Sequence, residues 1–234
     1  MTDSLSCIKQ EFEALGRIGR ENAIRVLTGG SLDLSGLLAL TDSARRRHSG
    51  MKVRLCSIVN ARSGACSEDC SFCAQSARYS TGVARYPLLS ASELADSAAQ
   101  AYRRGAGEFS IVTSGAGVNR ERDLGVIEEA LQRIAALETP GQRCASLGRM
   151  DRESLLRLKN AGLDCFHHNL ETSRAFFSRI CTTHNREERV ETVRLAKSLG
   201  LRVCSGGIFG LGESDEDRVD FALELAGLGV NSVP

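Results

Sequence analysis

The chain has 234 residues and a mass of 25.2 kDa, enough for one substantial core, so a single folded unit is the default. A formal charge of +1, from 30 basic and 29 acidic residues mixed along the chain, excludes a field that would gather nucleic acid or anionic lipid. With 42% hydrophobic and 25% charged residues, the composition also excludes a membrane protein and a disordered chain.

The N-terminal stretch "MTDSLSCIKQEFEALGRIGREN" carries early acidic residues and no apolar core of signal-peptide length, so a cytoplasmic location is expected. In a reducing compartment, nine cysteines, an odd number, point to metal ligation or chemistry before disulfides.

Residues 1–50 read as an N-terminal helical extension of two or three helices: "SLSCIKQEFEALGRIG", "ENAIRVLTG" and "DLSGLLALTDSARRRH". Leu37, Leu38, Leu40 and Ala44 supply apolar contacts, and the extension is expected to cap one barrel end. Residues 51–234 then repeat one pattern, in which a short β-branched or apolar run precedes a polar loop and an amphipathic segment closing on glycine. The runs are "KVRLCSIVN", "EFSIVTSG", "QRCASLG", "DCFHHNL" and "RVCSGGIFG", with "NSVP" opening a sixth. Helix starts are signalled by Ser90 with Glu93, by Asp151, by Asn185, and by Ser214 with Asp217; helix ends are signalled by Gly105, Gly162 and Gly200. Alternating strands and helices predict an α/β fold, a parallel (β/α) TIM-type barrel, incomplete in this chain at five to six units and with an N-terminal helical cap.

Between the first run and the next helix lies "GACSEDCSFCAQSARY", with Cys66, Cys70 and Cys73 inside eight residues. Thiolates are soft ligands for iron-sulfur clusters, zinc or copper(I). A structural zinc site would call for a fourth nearby ligand, which the loop does not offer. Three thiolates on a four-iron cluster leave one iron open, which suits catalysis.

The spacing Cys66-x-x-x-Cys70-x-x-Cys73, with Phe72 before the last cysteine, resembles the signature of radical S-adenosylmethionine enzymes. More narrowly, "GACSEDCSFCAQSARYSTG", "AGLDCFHHNLETS", "ICTTHNREER" and "VCSGGIFGLGES" are similar, in the same order, to the biotin synthase family from Lys52 to Pro234. The resemblance implies a 4Fe-4S cluster on Cys66, Cys70 and Cys73, with S-adenosylmethionine chelating the open iron. Reductive cleavage would release a 5'-deoxyadenosyl radical that takes hydrogen from dethiobiotin, with sulfur supplied by an auxiliary cluster to form biotin. The resemblance also implies a reducing electron donor such as flavodoxin or ferredoxin, and a homodimer. Cofactor contacts implied by position are Phe72 beside the adenine, Ser114 and Gly115 at the methionine end, Asn169 and Glu171 at the ribose, and Arg189 near the cofactor. Asn169 also matches a substrate contact, and "GGIFGLGE" matches a segment that packs on the adenine.

One auxiliary ligand departs from the family pattern. Cys144 and Cys204 match third- and fifth-strand ligands of a 2Fe-2S cluster, but Ser110 stands where the second-strand cysteine belongs. Cys56 on the neighbouring first strand is the candidate replacement, giving an auxiliary set of Cys56, Cys144 and Cys204. Cys7, Cys165 and Cys181 read as packing or surface thiols, His167 and His168 as packed or hydrogen-bonded side chains, and His184 as a loop residue before a helix cap. The family's arginine ligand and last substrate-binding elements are expected beyond Pro234. The alternatives are another radical enzyme of hydrogenase-maturation or methylornithine-synthase type, and a noncatalytic iron-sulfur or zinc protein.

Overall fold

The computed structural model describes residues 4–29, 32–138 and 141–234. Three helices open the chain: α1 (Ser4–Leu15), α2 (Arg20–Thr28) and α3 (Leu34–Ser49). Asp33 caps α3 by accepting from the Ser35 backbone, and Arg46, Arg47 and His48 sit in its last turn, where cations offset the helix dipole. The extension reaches the rest of the molecule through Arg20, whose guanidinium forks onto Asp220 with Nε 2.6 Å from Oδ1.

Strands and helices then alternate: β1 (Cys56–Arg62), α4 (Ala91–Arg103), β2 (Glu108–Thr113), α5 (Glu121–Ala135), β3 (Gln142–Ser146), α6 (Arg152–Asn160), β4 (Cys165–His167), α7 (Arg186–Ser198), β5 (Arg202–Cys204) and α8 (Asp215–Gly227). All five strands form one parallel sheet in the order β1-β2-β3-β4-β5. Parallel neighbours need a crossover, so each intervening helix carries the chain back to the start of the next strand. The expected sixth run contributes a single parallel bridge between Ser232 and Cys204. Among the described residues, no helix is long and apolar enough to cross a membrane.

The capping signals act as the sequence predicts. Reciprocal capping boxes close at Ser90 with Glu93, at Asn185 with Glu188, and at Ser214 with Asp217. Gly105 and Gly162, at φ of 90° and 103°, end helices in the left-handed region that only glycine enters freely. Helix α5 escapes a reading based on punctuation, because it begins at Arg120 without a side-chain cap; its stripe Leu124, Ile127, Leu131 and Ile134 is nevertheless buried. Strand β1 starts at Cys56 rather than Lys52, since β2 pairs with it only from Glu108 onward.

The two faces of the sheet differ in chemistry. Phe109, Ile111, Ala145, Phe166 and Val203 enter a core with Leu94, Ile127, Leu155, Leu158 and Val193 from the covering helices. Residues one step along each strand point the other way, into the barrel interior. There Ser110 pairs in register with Cys144, Cys144 with Cys165, and His167 with Cys204. Each large apolar side chain on the helix face contributes about 1.5–3 kcal/mol, so that face sets the register and thereby orders the interior row.

Candidate cofactor and metal sites

The loop after β1 is folded by its own backbone. The Cys66 N–H donates to the Gln75 carbonyl at 3.0 Å, the Ala77 N–H to the Cys66 carbonyl at 2.8 Å, and the Cys73 N–H to the Cys70 carbonyl at 3.0 Å. At Gly64 φ is 72°, and a Cβ would collide with the Arg85 side chain, so glycine starts the turn. The three thiols line one cavity of about 300 Å³, shared with Phe72, Ser114, Gly115, Asn169, Glu171 and Arg189. The three loop cysteines and these six expected contacts therefore border a single space at the C-terminal ends of the strands, whereas the 206–213 segment expected beside the adenine does not line it.

A chain of charged groups fixes this cavity. Arg189 Nε donates to His184 Nε2 at 2.9 Å, so the ring proton sits on Nδ1, which donates to Glu68 Oε2 at 2.7 Å. Burial, and then the Arg189 charge, lower the His184 pKa against the opposing pull of Glu68, and the ring is neutral. Burial works to raise the Glu68 pKa, but bonds from Thr183 and His184 and the charge of Arg149, 3.0 Å away, outweigh it and keep the carboxylate ionised. Asp69 accepts from the Thr182 hydroxyl and from the Thr182 and Thr183 N–H groups at 2.9 and 3.2 Å. These bonds hold its carboxyl well below the usual carboxylate range.

These positioning residues are the ones sequence reasoning missed. His184 is the loop residue just before the Asn185 cap, as expected, and it is also buried inside the site. Cys181, read as a packing or surface thiol, is buried with its sulfur 3.8 Å from Cys70 and 3.2 Å from His184 Nδ1. The available signal was the pair of acids in "CSEDC", answered by the hydroxyls and imidazole of "TTH".

At the other wall, Arg189 Nη1 donates to the Asn169 carbonyl at 2.9 Å and lies 3.4 Å from Glu171 Oε1. Burial raises the Glu171 pKa, with Arg189 opposing. Glu171 has φ of 70° and bridges Gly207. A Cβ on Gly207 would lie 2.1 Å from the Glu171 carbonyl oxygen, so only glycine allows the two segments to meet. The Asn169 amide oxygen accepts from the Gly206 N–H at 3.1 Å. His168 stacks on Phe166 with centroids 6.1 Å apart; its buried Nε2 lacks a partner among the described residues.

The donor set at the loop fits a thiolate-bound cluster. Burial, and then the nearby Cys181 sulfur, push Cys70 up to about 12, so the loop on its own holds that thiol protonated. Ligation requires deprotonated sulfur, and a cation at the loop supplies the charge that releases the proton. Three soft donors on one cavity wall match an iron-sulfur group better than a hard oxygen-loving ion.

A second group of thiols occupies the barrel interior. Cys56 is exposed, with its sulfur 3.3 Å from Glu108 Oε2; burial of part of the thiol and the Glu108 bond push its pKa up. Cys204 is raised by burial, partly offset by a bond with Ser232. Cys165, read as a packing or surface thiol, is buried in register with Cys144. The close approach of the two thiols draws Cys165 below the ordinary thiol range against the effect of burial, His167 adds to the pull, and Cys144 is left well above that range. One ligand atom each from Cys144, Cys165 and His167 lies within 4.8 Å of the others. Ser110, on the other side of Cys144, buries a hydroxyl that has no partner among the described residues.

The radical SAM superfamily model matches residues 60–225. The biotin synthase of Acetivibrio thermocellus is 40% identical over 232 residues, which cover 99% of this chain and 72% of that protein. The chain belongs to the biotin synthase family of the radical SAM superfamily. The biotin synthase of Anaeromyxobacter dehalogenans is 51% identical over 203 residues, covering 86% of the chain but 56% of the relative, so the chain spans little more than half of that family member. Among solved structures, methylornithine synthase superposes with a TM-score of 0.80 at 17% identity, over 97% of this chain and 66% of that one. A maturase of the FeFe-hydrogenase from Carboxydothermus hydrogenoformans gives 0.79 at 18% identity, over 98% and 56%. These two likenesses show a shared fold; the sequence likeness lies with the biotin synthase family.

Proposed function

We propose that this chain carries the radical-generating and sulfur-donating sites of an enzyme that converts dethiobiotin to biotin. The observation that supports it is the cavity in which Cys66, Cys70 and Cys73 meet Ser114, Gly115, Asn169, Glu171 and Arg189. In this reading the three cysteines hold a 4Fe-4S cluster and the remaining residues bind S-adenosylmethionine. Bound there, these groups would supply radical chemistry able to take hydrogen from unactivated carbon.

The chain's own residues select, orient and shield. Phe72 packs against Cys70, Phe177 and Ile180 and offers an apolar wall to the adenine. Arg189 is held by His184, Asn169 and Glu171, so its charge arrives already oriented for an anionic group. Glu171, buried beside that arginine, accepts from ribose hydroxyls, and Asn169 contacts both cofactor and the ureido ring of the substrate. Ser114 Oγ donates to the Gly64 carbonyl at 2.8 Å, which ties the second strand's end to the cluster loop where the methionine end binds.

The auxiliary iron-sulfur group, 2Fe-2S or a variant, takes Cys144 and Cys204 from β3 and β5 and Cys56 from β1. The Cys144 and Cys204 pair favours sulfur insertion over the methylornithine-synthase and hydrogenase-maturation chemistries. The proposal includes a cytoplasmic enzyme that acts as a homodimer and draws electrons from a carrier such as flavodoxin or ferredoxin. The 1–50 helices form its cap and residues 51–234 its barrel core.

The test is anaerobic reconstitution with iron and sulfide, then addition of dithionite and S-adenosylmethionine. Formation of 5'-deoxyadenosine, together with iron and sulfide in excess of one 4Fe-4S cluster, is the expected result. A reconstituted chain that binds the cluster yet leaves S-adenosylmethionine intact would overturn the radical assignment.

A further inference from the structure

The tightest donor group in the barrel interior is not the set that sequence matching selects. Cys144 and Cys165 are direct partners across β3 and β4, and His167 is two residues beyond Cys165 on the same face. Their ligand atoms fall within 4.8 Å of one another. Two thiolates bound at about 2.3 Å to one tetrahedral ion stand about 3.8 Å apart, so Cys144 and Cys165 are spaced to share a single iron after small side-chain rotations. His167 in turn pairs in register with Cys204, which places the β4 donors between two expected auxiliary ligands.

The other neighbour of Cys144 supplies an independent observation. Ser110 is buried with its hydroxyl unpartnered among the described residues, a state that normally costs about 1–3 kcal/mol and calls for an explanation. That hydroxyl points into the row in which a thiol would have served on the β2 side. A thiol occurs instead on the β4 side, at equal register distance from Cys144.

We infer that Cys165 is the fourth thiolate of the auxiliary site, binding the same iron as Cys144, so that β4 supplies the sulfur ligand that β2 lacks. Cys56 on β1 and Cys204 on β5 are left for the remaining iron. On ligation each thiol gives up its proton and the iron-bound sulfur keeps the electron pair; no redox change is involved. The assignment rests on the reading that an auxiliary iron-sulfur group occupies the barrel.

The experiment uses the whole chain and the variants Cys165→Ser and Cys165→Ser with Ser110→Cys, each reconstituted anaerobically and measured for iron, sulfide and Mössbauer parameters. Circular dichroism and the loop cluster's own signal verify the fold. The expected outcome is that Cys165→Ser loses the interior iron while keeping the loop cluster, and that adding Ser110→Cys restores it, because a thiol then flanks Cys144 from the other side. Cobalt(II) titration of a chain lacking the three loop cysteines gives a readout free of sulfide. There Cys165→Ser should weaken binding at least about tenfold and reduce the sulfur-to-cobalt charge-transfer band, as expected when a ligand is removed. Unchanged interior iron and unchanged Mössbauer parameters in Cys165→Ser would overturn the Cys165 assignment and leave the auxiliary site standing. An unsubstituted chain that takes up no iron beyond the loop cluster would instead remove the auxiliary site itself.

Discussion

The two thiol groups of this protein are assembled in opposite ways. Cys66, Cys70 and Cys73 sit on one loop, and their approach is set by short-range backbone bonds such as Cys73 N–H to the Cys70 carbonyl. Cys144, Cys165 and Cys204 come from three strands, and nothing local brings them together; the sheet's register does. A loop can present its donors whenever its own turns form, whereas an interior row exists only when the whole βα layer has packed. The difference teaches that one site is a property of a peptide and the other a property of a fold.

Substitutions should separate the two. The largest effect is expected for Cys66→Ala, which should abolish the 4Fe-4S signal and remove about four irons per chain while leaving interior metal in place; loss of both together would break the contrast. Phe166→Ala should act in the reverse sense, since Phe166 is fully buried on the helix face between Cys165 and His167. A cost of about 3–5 kcal/mol in urea unfolding is expected, with interior metal lost before loop metal as denaturant rises.

Glu68→Gln tests the strap between the loop and the 181–184 segment. It weakens charge-assisted bonds to His184, Arg149 and Thr183, and a loss of about 1.5–3 kcal/mol is expected from the urea midpoint. Acid should produce a smaller, graded change. His168 and His184 both have pKa values below the ordinary 6.5, His168 through burial and then the Arg189 charge, so the unfolded chain takes up protons that the folded one refuses. Stability is then complete above about pH 6.5 and falls as pH drops below it, by up to about 1.4 kcal/mol per pH unit for each histidine. His168→Gln should flatten the slope of urea midpoint against pH; an unchanged slope would show that the imidazole does not contribute. Ser110→Ala should alter stability least, within about 1 kcal/mol, because the hydroxyl it removes makes no bond among the described residues.

What could be read in advance follows the same division. The three-cysteine loop, the capping boxes and the helix-ending glycines are local patterns, and the structure places Ser90, Asn185 and Ser214 as caps where their spacing predicts. Asn169, Glu171 and Arg189 came from family resemblance, and they do border the same cavity as the loop thiols. The partnership of Cys165 with Cys144 could not be read, because it depends on residues 21 positions apart meeting across two strands. His184 and Cys181 were missed for a related reason: their segment is brought to the loop by Asp69, a long-range contact with no signature along the chain. Helix α5 was hidden by the opposite fault, an uncapped start on Arg120 ahead of a strong apolar stripe.

Strand β4 is three residues long, with Phe166 turned to the helices and Cys165 and His167 turned away from them. A slip of one place would reverse all three, driving an aromatic ring into the interior and leaving an imidazole among Leu155 and Leu158, with its polar atoms stripped of water. No intermediate alignment offers a partial row of thiols. The sulfur chemistry of the interior thus works as a proofreader of the fold: a chain that presents Cys144 beside Cys165 has, by that fact alone, passed inspection along β3 and β4.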